Sequence, residues 1–110
     1  MLGIDFHIAN TEKEAASSER YVKFAEKLHD YLLEKESKSS FDLLLDLDPY
    51  GDRLFSVQEI KELIKISESL SNKYKKDDKN EQEVRQFARD LKELCLEALK
   101  QAKLVFAAGD

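Results

Sequence analysis

Leu2, Ile4, Phe6 and Ile8 alternate with Gly3, Asp5 and His7. A period of two predicts a half-buried β-strand. A lone strand leaves its backbone donors and acceptors unmet, so a partner strand is expected elsewhere. From Asn10 the period changes. Tyr21, Phe24 or Ala25, Leu28, Tyr31 and Leu32 recur at helical spacing and predict one long helix over 10–37. Thr11 is its expected N-cap, with Glu14 closing a capping box. The polar run KESKSS ends it. A short second helix is predicted over Ser40–Leu47, capped by Ser39 or Ser40 and stopped before Pro49. Ser56 and Glu59 form a second capping box and open a third helix. Its stripe is Ile60, Leu63, Ile64, Leu70 and Tyr74, with Val57 at the start.

A fourth helix is predicted from Asn80, with Glu83 as its cap partner. Val84, Phe87, Ala88, Leu91, Leu94, Cys95, Ala98, Ala102, Val105 and Phe106 give it one long stripe, and Gly109 is its expected stop. Leu96, Leu99 and Leu104 widen the stripe in the last turns, as expected of a helix central to its bundle. A homodimer through this C-terminal helix is the alternative use of the same surface. The expected fold is therefore mostly α. It is an antiparallel three- to four-helix bundle, one domain over 1–110, with a minor two-stranded β element. That element joins Leu2–Ile8 to the Leu54–Phe55 region.

Composition supports the helical reading: Gly (3) and Pro (1) are scarce in 110 residues. The net charge of −5, with basic residues interleaved among acids as in KYKKDDK, argues against nucleic acid as a partner. It suits a basic protein partner. No apolar run is long enough to span a bilayer. The segment MLGIDFHIAN lacks the basic start of a signal peptide, so cytoplasmic residence is the expectation. Cys95 is the single cysteine and lies on the apolar stripe, which predicts a buried, unreactive thiol.

Catalytic signals are sparse. His7 and His29 both read as residues at the edge of the core, and no HExxH, CxxC, GxGxxG or Walker loop occurs. Glu26 and His29 match a Glu-x-x-His spacing once, whereas a di-metal carboxylate bundle needs two such motifs and two further Glu residues. A small helical metalloenzyme ranks last among the readings, and no enzymatic activity, cofactor or metal is expected.

The segment DLDPYGDRLFSVQEIKEL, from Asp46 to Leu63, carries the densest chemistry. Asp48-Pro49-Tyr50-Gly51 fits a type I turn, with Asp first, Pro second and Gly fourth. Structure alone accounts for each of these residues. An EF-hand loop begun at Asp48 would place Asp52 fifth, the Leu54 carbonyl seventh, Ser56 ninth and Glu59 twelfth. Tyr50 then occupies the third position, where a short oxygen ligand belongs, and Arg53 the glycine position. Begun at Asp46, the loop puts Val57 where the bidentate Glu belongs. The segment thus resembles a degenerate EF-hand, with Asp48, Asp52, Ser56 and Glu59 as its weak metal-ligand candidates.

DPYGDRLFS also resembles the DPYGDT-like segment of small, uncharacterised bacterial proteins, some of them in polymorphic-toxin immunity loci. The opening GIDFHIANTEKE is similar to the starts of such proteins. The resemblance covers Gly3–Glu14 and Phe41–Leu63, with Arg53 where Thr is usual. It implies a cytoplasmic bacterial protein that works by binding another protein, such as a basic toxin. Asp46, Asp48, Tyr50, Asp52 and Arg53 are then the candidate contact residues, since Tyr and Arg anchor interfaces and carboxylates can meet a basic surface.

Overall fold

The computed structural model describes residues 3–36 and 40–109. The chain runs β1 (Gly3–Ile8), α1 (Glu12–Ala16), β2 (Val22–Ala25), α2 (Glu26–Lys35), α3 (Asp42–Leu45), β3 (Asp52–Phe55), α4 (Val57–Lys73), α5 (Lys79–Lys100) and β4 (Val105–Gly109). The strands form one four-stranded sheet in the order β2-β1-β4-β3, antiparallel at every step. The fold is therefore α+β, and the expected helical bundle with a two-stranded element is incorrect.

Two segments account for the difference. The first helix expected over 10–37 is broken. Thr11 does cap α1, its Oγ1 accepting from Glu14 N at 3.1 Å, but the Glu14 carboxylate returns to Asn10 N and not to Thr11. The helix ends at Ser17, whose hydroxyl donates back to Glu14 O at 3.1 Å. Val22–Ala25 is extended and pairs with β1 from Phe6↔Val22 to Gly3↔Ala25. Phe24 is fully buried while Lys23 faces solvent, a strand alternation that the helical spacing of Tyr21, Phe24, Leu28 and Leu32 concealed. Only Leu28 and Leu32 from that stripe are buried on a helix, α2.

The second segment is the end of the fourth helix. Asp78, not Asn80, caps α5, accepting from Glu81 N at 2.9 Å. The helix stops at Lys100. Ala102 N donates to Leu99 O at 3.1 Å and Lys103 N to Ala98 O at 2.9 Å, the paired bonds of a Schellman motif. Ala102 holds the left-handed position at φ 55°. Glycine usually fills that position, so its absence hides the stop. Val105–Gly109 then forms β4, an inner strand, and Gly109 is a strand residue and not a helix terminator. β4 takes the place expected for β3 beside β1; β3 pairs with β4 instead. Replacing Ala102 with glycine relieves a left-handed alanine at the cost of a looser unfolded chain, so it should raise stability by about 0.5–1 kcal/mol. A thermal melt reads the gain, and a fall in Tm would contradict the left-handed assignment.

The other expectations fare unevenly. α4 carries the full capping box at Ser56 and Glu59 and buries Ile60, Leu63, Ile66 and Leu70. The short helix α3 begins after Phe41, with no side-chain cap, and Ser39 lies outside the described residues. α4 and α5 form an antiparallel hairpin that covers one face of the sheet, α5 crossing β1 and β2 and α4 lying beside β3. Phe6, Phe24, Phe55 and Phe87 meet at this layer boundary. Phe24 stacks on Phe87 at 4.5 Å, and Phe6 lies 6.2 Å from Phe55 and 6.3 Å from Phe87. On the opposite face α1 covers part of β4 through Ala15 and Phe106.

Glu36, at the end of α2, ties this frame to α4. Burial raises its pKa, but the Lys73 ammonium at 2.7 Å and the Tyr74 hydroxyl hold it below the ordinary carboxylate value overall. A depressed carboxyl contributes stability above its unfolded pKa and loses it as pH falls through the folded one. Glu36→Gln should thus lower the urea midpoint at pH 7, and the gap from wild type should narrow as the pH falls below the ordinary carboxylate range. A gap independent of pH would contradict the ionised assignment. No helix among the described residues is long and apolar enough to cross a membrane.

Candidate functional site

The Asp46–Arg53 segment sits at one end of the sheet. Leu44, Leu45 and Leu47 are buried and anchor the chain as it leaves α3. Gly51 N donates to Asp48 O at 3.1 Å, closing the β-turn, and Asp48 Oδ1 accepts from Tyr50 N at 2.9 Å. Gly109 N of β4 donates to Gly51 O at 2.9 Å and also lies 3.1 Å from Asp52 Oδ1. A Cβ at Gly109 would lie 2.4 Å from Gly51 O and 2.7 Å from Pro49 O. Only glycine lets β4 approach the turn this closely.

This packing gathers four of the five candidate contact residues. Asp46, Asp48, Asp52 and Arg53 line one cavity of about 160 Å³, floored by Ile4, Leu47 and Ala107. Tyr50 lies outside that lining, at the tip of the turn, and is 66% exposed. Arg53 pairs with Glu59, and its guanidinium also stands over the Phe55 ring at 5.2 Å. It is thus positioned by the protein's own groups, and the carboxylates and the tyrosine are the groups most open to a partner.

The EF-hand candidates are used otherwise. Asp52 begins β3, so the chain from Asp52 to Phe55 is straight where an ion loop would wrap. Glu59 accepts from Ser56 N at 3.0 Å and from Arg53, and the Ser56 hydroxyl accepts from Glu59 N at 3.2 Å. The Ser56 backbone bond, above all, holds the Glu59 carboxyl below its ordinary value, against the effect of burial and helped by Arg53. Among the described residues, no three His, Cys, Asp or Glu side chains are placed to hold a metal ion.

Neither histidine lines the cavity at the turn. His29 lies inside the core, not at its edge. It stacks on Phe24 at 4.7 Å, and its Nε2–H donates to Leu45 O at 2.7 Å. His7 is 9% exposed on the other sheet face, with Tyr21 5.9 Å away, and its Nδ1 has no hydrogen-bond partner among the described residues. Cys95 is fully buried, and burial pushes its thiol up to about 12. At neutral pH the thiol stays protonated, as expected of a buried structural cysteine.

Sequence reasoning missed a second concave surface. β2 is an edge strand, and a groove of about 450 Å³ runs between α5 (Glu83, Gln86, Phe87, Asp90) and the end of β2 with the first turn of α2 (Lys23, Ala25, Glu26, Lys27, Leu28). Leu28 and Phe87 read from the sequence as core stripe. Only the existence of β2 turns their rim into a groove wall. Comparison of the chain with protein-family models, with curated proteins and with solved structures found no match.

Proposed function

We propose that this is a non-catalytic, protein-binding chain whose contact surface is the acidic turn at 46–52, and that its partner presents a basic segment. The observation that carries the reading is the convergence of Asp46, Asp48 and Asp52 on one small cavity beside an exposed Tyr50, on a turn fixed by β4. A rigid loop loses little conformational entropy on binding, and an aromatic beside carboxylates suits a cationic partner. The non-catalytic part is supported by two buried groups: His29 is bonded in the core and the Cys95 thiol stays protonated. The broad apolar face of α5 is taken up by α4 and the sheet, which favours a foreign partner over a second copy.

The likeness of DPYGDRLFS to segments in toxin-immunity loci puts immunity in the bacterial cytoplasm first among such roles. Co-expression in a bacterial host with the product of the adjacent gene tests it. Growth should be restored and the two chains should co-purify, and Tyr50→Ala with Asp52→Ala should abolish both while leaving the protein folded, with a cooperative melting transition. A complex unchanged by both substitutions would remove the turn as the contact surface.

A further inference from the structure

We infer that the β2–α5 groove is a strand-addition site for an extended, basic segment of a partner polypeptide, on a surface separate from the acidic turn. β2 ends the sheet, so one side of Val22–Ala25 has no strand beside it. Such an edge is a template for an incoming strand unless it is blunted or covered. Here α5 stands beside it as a wall. As the chain of β2 is followed back from Ala25 to Arg20, the facing residues of α5 advance from Glu83 through Gln86 and Asp90 to Glu93. Ten helical residues span about 15 Å, the length of four or five strand residues.

The floor and the wall differ in chemistry. Ala25, Leu28 and Phe87 supply an apolar floor for alternate side chains of an added strand. Glu83, Asp90 and Glu93 supply carboxylates along the rim. On the strand side Lys23 is paired with Asp5 at 3.2 Å; Arg20 and Lys27 also line this surface, against the carboxylates of Glu26, Glu83, Asp90 and Glu93, so the charge open to a ligand is acidic on balance. That charge also selects the occupant. Two copies joined edge to edge through β2 would set these α5 walls near one another, like charge against like, in a chain of net charge −5. A strand with Lys or Arg at alternate positions would meet the rim and lay its small apolar residues on the floor.

The test uses the whole protein and two capped synthetic peptides, KVKVKVK and EVEVEVE, followed by backbone amide NMR and fluorescence anisotropy. KVKVKVK should shift the amides of 22–25 and 83–93, slow hydrogen exchange along β2, and bind at least tenfold more weakly to Glu83→Lys/Asp90→Lys. A control with the same charge change on another surface, Glu34→Lys/Glu62→Lys, should bind within twofold of wild type, and EVEVEVE should not bind. Equal weakening in both double variants, shifts centred on 46–53, no binding at millimolar peptide, or a dimer through β2 by sedimentation would each overturn the inference. The Tyr50→Ala/Asp52→Ala variant separates the two surfaces, since it should bind KVKVKVK unchanged.

Discussion

Phe24→Ala should remove about 3–5 kcal/mol of folding stability, the usual cost of emptying a fully buried phenylalanine site. Against a total of about 5–15 kcal/mol, this is about a fifth of the stability at the least and all of it at the most. Phe24 is completely buried and is sandwiched between Phe87 at 4.5 Å and His29 at 4.7 Å, so no neighbour can collapse into the space without unstacking another ring. Urea denaturation gives the size of the loss. The pairing itself is read from a double-mutant cycle with Phe87→Ala. Stacked rings share a coupling energy of about 0.5–1.5 kcal/mol beyond their buried area, so the two losses should not add. Additive losses would mean that Phe24 does not face Phe87, and β2 would then be misplaced on the sheet.

Gly109→Ala should cost about 1–3 kcal/mol, the range for forcing an extra methyl into a filled site. The methyl would meet backbone, the Gly51 and Pro49 carbonyls, which cannot swing aside as a flexible side chain can. The turn must therefore back away from β4, and the Gly109 N–H bond to Gly51 O must lengthen or break. Two effects follow together: a lower Tm, and faster hydrogen exchange at Gly51 and Gly109. A partner bound at the turn should be lost more readily too, because the carboxylates no longer share one fixed cavity. A variant as stable and as protected as wild type would show that β4 does not support the turn.

The local signals in the sequence were sound where one residue's chemistry dictates one geometry. Ser56 and Glu59 form the capping box that their spacing predicts, and Asp48-Pro49-Tyr50-Gly51 forms the turn with its Asx bond. β1 is legible because its outward residues are polar and its inward ones apolar. β4 is not, because it lies inside the sheet with Phe106 covered by α1 on one face and Val105 and Ala107 in the core on the other. A short strand buried on both faces has no alternation and reads like a stretch of buried helix. The left-handed alanine at 102 compounded the error by withholding the glycine that marks a helix end. β2 failed for another reason: four residues are too few for a period to be distinguished, and the strand runs straight into α2. The acidic turn was recognisable as a candidate contact surface from its residues. The cavity that unites its carboxylates was not, because Ile4 and Ala107 come from strands whose pairing is non-local.

β4 is the inner strand that joins β1 to β3 and carries the turn at its end. Backbone NMR of the intact protein addresses it without any partner. Residues 105–109 should show extended-chain carbon shifts, with cross-strand contacts from Phe106 to both His7 and Leu54 and from Ala107 to Phe6. The Gly109 amide should exchange slowly, since it is bonded to Gly51 O. Helical shifts continuing from Lys100 through Phe106, with a fast-exchanging Gly109, would contradict both the fold and the site built on it.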